Sequence, residues 1–206
     1  MGFWLAPLYD RVMHASEEAC LKDWRHALLR SARGRVLEIG AGTGANLPHY
    51  GPEVSELVLA EPDPRMRRQL AQALESASRR ATLSDARADA LPFADARFDA
   101  VVSTLVLCSV GSLERSLSEI ARVLTPGGRL YFLEHVAADE RPERLRWQRL
   151  AEPVWKRIAG NCHLTRRTED AIASAGFEIE AITHESIRKA MALARPSIRG
   201  VARKPG

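Results

Sequence analysis

Only three cysteines occur in 206 residues, Cys20, Cys108 and Cys162, and no two of them form a CxxC pair. An odd, scattered set of this kind argues against a disulfide scaffold and a zinc knuckle, and favours a reducing, cytoplasmic setting. No metal site is expected: Cys162-His163 resembles half of one, but no partner pair stands at suitable spacing. Long apolar runs are also missing, so nothing approaches the ~20 residues that span a bilayer. The opening Met1-Gly2-Phe3-Trp4-Leu5-Ala6-Pro7-Leu8-Tyr9 is apolar, but it lacks a basic flank and soon reaches Asp10-Arg11. It reads neither as a signal peptide nor as a membrane span.

The chain has the ordinary make-up of a globular protein, 46% hydrophobic and 27% charged, with length for one domain and a sizeable core. Its net charge of +4 is unevenly spread. Residues 136–206 carry 14 Lys/Arg against 9 Asp/Glu, whereas residues 1–135 are close to balanced. With no dense basic run, solvated helix faces explain the excess better than an anionic partner does. Nucleic acid is not an expected partner. No Asp/Asn-Pro-Pro-Tyr/Phe segment follows the fourth predicted strand, and no Pro-Cys nucleophile pair occurs.

Apolar periodicity alternates between strands and helices. An amphipathic helix is predicted over 16–31, then strands at 35–39, 57–60, roughly 81–84 and 98–103. Asp63-Pro64 places an N-cap and a first-turn proline at the head of a helix running to about Ser76. A further helix over 112–123 is closed by the turn Thr125-Pro126-Gly127-Gly128, which leads into a fifth strand, 129–135. Continuous apolar strands alternating with helices describe a doubly wound parallel α/β sheet covered on both faces. Beyond it, a helix over 142–158 carries Trp147, Leu150, Val154 and Ile158 on one stripe, with Pro153 bending it. A helix over about 166–175 follows, then strands at 177–183 and 198–202 too close together for another full crossover unit. They are expected to make a hairpin-like sheet edge within a single domain.

The first strand hands over to Glu38-Ile39-Gly40-Ala41-Gly42-Thr43-Gly44. Glycines let a backbone approach a ligand closely, and Glu61 ends the second strand, where an acid holds a ribose diol. A nicotinamide dinucleotide fold expects G-x-G-x-x-G, but here the spacing is G-x-G-x-G with an acid two residues before the first glycine. That charge repels a pyrophosphate and suits an ammonium or sulfonium. No Tyr-x-x-x-Lys pair of a dehydrogenase exists. The loop therefore favours S-adenosylmethionine over NAD.

Taken with Glu61, Asp89-Ala90-Leu91-Pro92-Phe93, Phe98-Asp99 and Leu124-Thr125-Pro126-Gly127-Gly128, this loop resembles the ordered motifs of the class I methyltransferases. The resemblance implies a seven-stranded Rossmann-like sheet with its last strand antiparallel. It implies the glycine loop (Glu38, Gly40, Ala41, Gly42 and Asn46) beside the methionine moiety and Glu61 on the ribose. Asp89 and Ala90 would lie near the adenine amine, Pro62 and Leu91 would bracket the ring, and Thr104 and Leu105 would complete the cofactor site. Five further segments, beginning at Thr104, Glu134, Glu152, Cys162 and Arg195, are similar to the thiol S-methyltransferases of the methyltransferase-like seven group and their bacterial relatives. Two departures are Glu61, an aspartate in the animal proteins, and the missing apolar anchor at the start.

These features lead to an expected function: methyl transfer from S-adenosylmethionine to a small thiol or sulfide. The alternative is a small lipid, quinone or amine acceptor, and a non-enzymatic binding module is the rival of another class. The donor is already activated, so the protein has to align groups and exclude water. His135, at the end of the fifth strand, is a candidate base or a strand-end structural residue. Cys108, after the fourth strand, is a chemical participant or an apolar wall. The acceptor pocket is expected from residues 1–31 and 136–175, with Tyr9, Trp155 and Cys162 as its contacts. Trp155 either closes that pocket or packs on the core. The first helix, with Tyr9 and Met13 before it, is expected as a helical lid over the cofactor. Convergence of three cysteines on arsenic would require Cys20 to fold over the site.

Overall fold

The computed structural model describes residues 9–77 and 79–206. Seven strands form one sheet: β1 (Gly34–Ile39), β2 (Val54–Ala60), β3 (Thr82–Ser84), β4 (Phe98–Thr104), β5 (Leu124–His135), β6 (Glu178–Ser186) and β7 (Pro196–Arg203). Their order is β3-β2-β1-β4-β5-β7-β6. The first five are parallel, and β7 runs antiparallel between β5 and β6. The short linker between β6 and β7 thus does make an antiparallel edge pair, as expected.

Among the described residues six α-helices surround the sheet: α1 (Tyr9–Ser16), α2 (Lys22–Leu29), α3 (Pro64–Ser76), α4 (Leu113–Val123), α5 (Pro142–Ile158) and α6 (Thr168–Ser174). Because strand side chains alternate, one sequence feeds two cores. On one face Leu37, Ile39, Val101, Leu130 and Phe132 meet Leu117, Ile120 and Val123 of α4 and Ile172 of α6. On the other, Val36, Leu57, Leu59, Val102 and Leu133 meet Leu28 and Leu29 of α2 and Leu70 of α3. The predicted cap holds: the Asp63 carboxylate accepts from the backbone N–H of Arg65 and Met66. Ser112 caps α4 in the same way, its Oγ accepting from Arg115 N–H.

Two expectations need correction, and a third element holds a surprise. The first helix starts at Tyr9 rather than 16, because a π-helical turn, Glu17–Leu21, joins α1 to α2 without a break. Thr125-Pro126-Gly127-Gly128 is not a turn before the fifth strand but belongs to it. Leu124 pairs with Phe98, and backbone hydrogen bonds join Gly127 and Gly128 to Lys204. The apolar stripe of α5 exists but does not face the core. Trp147, Leu150, Val154 and Ile158 are 57–70% exposed, while the polar Gln148 is buried. Its amide accepts from Ala138 N–H and donates to the carbonyls of Val136 and Leu193, so hydrogen bonds anchor this helix. The helix continues through Pro153. No helix among the described residues is long and apolar enough to cross a membrane.

Gly200 shows how tightly the antiparallel edge is built. A Cβ there would lie 2.2 Å from the Ala181 carbonyl oxygen and 2.7 Å from the Phe132 ring. Overpacking against backbone costs about 1–3 kcal/mol. Gly200→Ala is expected to lower stability by about that much in urea denaturation, and an unchanged midpoint would contradict this packing.

Candidate active site

Ligands of an open α/β sheet bind outside the carboxyl ends of its strands. Here the exits of β1, β2, β4 and β5 are joined by two buried polar networks.

The first surrounds the glycine loop. Gly40, Gly42 and Gly44 all have positive φ, where a side chain would be strained. A Cβ on Gly40 would also strike Val106 at 2.5 Å, so the β1 loop lies directly against the β4 exit loop. At Gly42 an added Cβ would meet nothing nearer than 4.0 Å, which leaves an open cradle. Glu61 is buried, and its two carboxylate oxygens accept from Gly42 N–H and Asp63 N–H, each at 2.8 Å. Burial pushes its carboxyl upward despite these bonds.

Glu38 lies beneath the loop. Its carboxylate accepts from Asn46 Nδ2 at 2.9 Å and Tyr50 OH at 2.7 Å. Asn46 also donates to Thr104 Oγ1 at 2.9 Å, and Arg25 of α2 donates to both Asn46 Oδ1 and Thr104 Oγ1, at 2.9 and 2.8 Å. Arg25 is itself held by Glu17. The N-terminal helices are therefore bonded to the glycine loop through a buried guanidinium, which linear sequence did not single out. Its only sequence signal was an arginine on the apolar side of α2.

The adenine-side candidates are arranged differently. The Asp89 carboxylate takes both nitrogens of an Arg87 fork at 3.0 and 3.1 Å, and that guanidinium holds it below the usual carboxylate range. Leu91 is buried in the core, its N–H bonded to Glu119, whereas Pro62 and Ala90 are exposed.

The second network lies at the β4 and β5 exits. Glu134 is fully buried and accepts from Ser103 Oγ at 2.7 Å and from the N–H groups of Val106, Leu107 and Cys108 at 3.1–3.3 Å. Leu105, just before them, has φ +60, a strained value for a leucine. The segment 161–166 is stapled across this loop. His163 N–H bonds Cys108 O at 2.8 Å, Asn161 Nδ2 bonds Ser109 O at 2.9 Å, and Arg166 donates to the carbonyls of Leu107 and Val110. Glu152 of α5 in turn holds His163 and Thr165.

These staples bring Cys108, His135 and Cys162 together, with Sγ, Nε2 and Sγ all within 4.8 Å. His135 Nε2 is 2.6 Å from Cys162 Sγ, and Trp155 Nε1 donates to the same sulfur at 3.2 Å. His135 Nδ1 is buried with no partner among the described residues. The neighbouring Cys108 sulfur and burial push the Cys162 thiol strongly upward, against the pull of His135. Cys20 does not join them: it is buried against Ser16 and accepts from Arg188 N–H. Tyr9 opens α1, but its side chain lies outside the described residues. Met13 packs on the second core.

The family described as "Methyltransferase domain" matches residues 37–132, the span that holds the glycine loop, Glu61 and Glu38. Human thiol S-methyltransferase TMT1A (Homo sapiens) is 32% identical over 200 residues, covering 96% of this chain and 82% of the human protein. The chain is a class I methyltransferase. Within that family it is close to the thiol S-methyltransferase group. TMT1B of Rattus norvegicus is 41% identical over 147 residues, 69% of this chain and 59% of the rat protein. The crystal structure of the [4+2]-cyclase SpnF superposes with a TM-score of 0.69 at 20% identity, covering 90% of this chain and 80% of that one. At that identity the likeness is one of fold alone.

The buried Glu38 yields a pH test in this methyltransferase. Burial lifts its carboxyl from 4.5 to about 7. Between those values the folded protein keeps a proton that the unfolded chain has released, so stability falls as pH rises through the interval. Glu38→Gln is expected to flatten that fall in urea denaturation series from pH 5 to 7.5. Parallel profiles for the two proteins would mean that Glu38 does not titrate there.

Proposed function

We propose that this methyltransferase uses S-adenosylmethionine to methylate a small thiol or sulfide. The observation that carries the reading is the cluster of Cys108, His135, Cys162 and Trp155 at the exits of β4 and β5. Its polarizable, N–H-donating walls suit a sulfur acceptor. The thiol S-methyltransferases at 32–41% identity support the same choice.

The glycine-loop side fits the cofactor. Gly42 leaves room for close approach, and each Glu61 oxygen retains capacity for a ribose hydroxyl, since a carboxylate offers about four acceptor sites. Glu38 supplies a negative charge under the loop, which a sulfonium or ammonium stabilises. S-adenosylmethionine, when bound, supplies a methyl group on a sulfonium for in-line displacement. The new bond joins acceptor sulfur to methyl carbon, the old carbon–sulfonium bond breaks, and the acceptor proton leaves as H+.

A thiol with pKa near ~8.5 already has a useful thiolate fraction at neutral pH. His135 is the imidazole at the acceptor end that can hold the departing proton, with Cys108 and Trp155 enclosing it. Thr104 and Leu105 would form the boundary between donor and acceptor sides. Asp89, Ala90, Pro62 and Leu91 keep their proposed place around the adenine, with Asp89 first having to share or release Arg87.

Glu61→Ala removes charged hydrogen bonds of roughly 1.5–3 kcal/mol. The variant is expected to bind S-adenosylmethionine about ten- to a hundredfold more weakly by isothermal titration. Unaltered affinity would take Glu61 off the ribose. For the acceptor, S-adenosylhomocysteine release is to be measured with sulfide, an alkyl thiol, a phenol and an amine. Turnover confined to the two sulfur acceptors is expected, while turnover only on the amine or phenol would reject the thiol assignment.

A further inference from the structure

We infer that Cys108, His135 and Cys162 form a binding site for a thiophilic divalent cation of the zinc class, whose fourth coordination position takes the acceptor thiol. The inference rests on the thiol reading above for its second half only.

The three ligand atoms come from three separate segments: the β4 exit loop, the end of β5 and the stretch after α5. Backbone and side-chain bonds from 161–166 to 107–110 hold two of those segments together independently of the sulfurs. All three residues are buried, at 2%, 5% and 9% exposure, so the cluster is part of the fold. A structural role for His135 as a satisfied strand-end histidine is not what the geometry provides. Its Nε2 meets only sulfur, and its Nδ1 meets nothing among the described residues.

Two thiols and an imidazole, with no carboxylate among them, are soft and borderline donors, which select zinc-like ions over magnesium or calcium. With Zn–S near ~2.3 Å and Zn–N near ~2.0–2.1 Å, tetrahedral ligand atoms stand about 3.5–3.8 Å apart. The present separations run from 2.6 Å to less than 4.8 Å, so shifts of about 1 Å would close the set on an ion. The surroundings also suit ligating sulfur. Trp155 N–H donates to Cys162 Sγ, and the Arg166 guanidinium, bonded to Leu107 and Val110 carbonyls, places a positive charge beside the cysteines.

Charge balance follows. Two protein thiolates neutralise a divalent ion, and a third thiolate leaves one negative charge beside Arg166. Three protein ligands leave a tetrahedral ion with one open position, the arrangement of catalytic rather than closed structural sites. Coordination of an acceptor thiol there would release its proton to solvent, and its sulfur would then attack the sulfonium methyl, with no change of oxidation state at the metal. His135 would act as a ligand in the loaded protein and as the proton-holding group without the ion.

The test uses the full chain, reduced and stripped of metal, titrated with cobalt(II) as the spectroscopic probe. One ion per chain is expected, with near-ultraviolet sulfur-to-metal charge transfer and the visible bands of a tetrahedral site. Those visible bands are expected to shift when an alkyl thiol is added. Cys108→Ser and Cys162→Ser should each weaken uptake at least tenfold while keeping the wild-type circular dichroism, and Cys20→Ser should leave uptake intact. Because the cysteine variants could misfold, a second measurement uses wild-type protein alone: a chelator should lower thiol methylation at least tenfold, and zinc should restore it. No uptake at micromolar cobalt or zinc overturns the site. So does a Cys108–Cys162 disulfide whose reduction yields protein that takes up no ion. Chelator-insensitive thiol methylation with no uptake removes the cation but leaves the thiol reading standing. Uptake by a chain that methylates no thiol overturns the acceptor role instead.

Discussion

The Glu134 carboxylate is the contact on which the arrangement at the β4 and β5 exits depends. A buried carboxylate is costly unless donors surround it, and this one has four: one hydroxyl and three consecutive backbone N–H groups. Those three amides belong to the loop leaving β4, so the acid determines the path of that loop. Leu105 reaches its strained φ of +60 immediately before the bonded amides and donates its own N–H to Leu133 O at 2.7 Å. The backbone is thus held by β5 at both ends of the bend. With the bend fixed, the Cys108 and Leu107 carbonyls become the docking points for His163 and Arg166, and Cys162 arrives at His135 as a consequence.

The glycine-loop network has a parallel logic with a different charge pattern. Glu38 is buried beneath a loop whose glycines keep side chains away from the ligand face. Its partners Asn46 and Tyr50 come from the same local stretch, but Thr104 and Arg25 reach in from β4 and α2. A low-dielectric site strengthens each of these bonds and penalises the loss of any member. The network also connects the N-terminal helices to the exit of β4, so the helical cover and the two ligand-facing loops are one bonded unit. Gly40 against Val106 adds a steric contact between the same loops.

What the sequence disclosed and what it hid follow from the range of the interactions. The glycine spacing, the acid ending β2, the Asp63-Pro64 cap and the paired apolar strands are local or periodic features, and each was readable in place. The Glu134 anchor, the Arg25 link and the meeting of Cys108 with Cys162 join residues far apart in the chain, and no spacing rule contains them. His163, adjacent to Cys162 and so the obvious ligand partner in sequence, instead uses its backbone to hold Cys108 and its ring to meet Glu152. Helix α5 is hidden for another reason: its apolar periodicity is real, but buried hydrogen bonds from Gln148 decide which side is anchored. Proline and glycine at 126–128 read as punctuation, yet pairing across to Phe98 and Lys204 keeps that segment in the strand.

A class I sheet by itself does not choose a reaction, and the likeness to a cyclase of the same fold illustrates the point. In the proposed reading the donor half of the site is built from β1 and β2, where short-range constraints of glycine and a strand-end acid prevail. The proposed acceptor half is built from the β4 and β5 exits plus whatever crosses them from the C-terminal third. In this chain the crossing segment brings a cysteine, and the strand end meets it with an imidazole whose other nitrogen has no partner among the described residues. Two sulfurs and an imidazole are consequently what this chain gathers at that end of the sheet. That grouping depends on Glu134 placing a third group, Cys108, within reach of the other two.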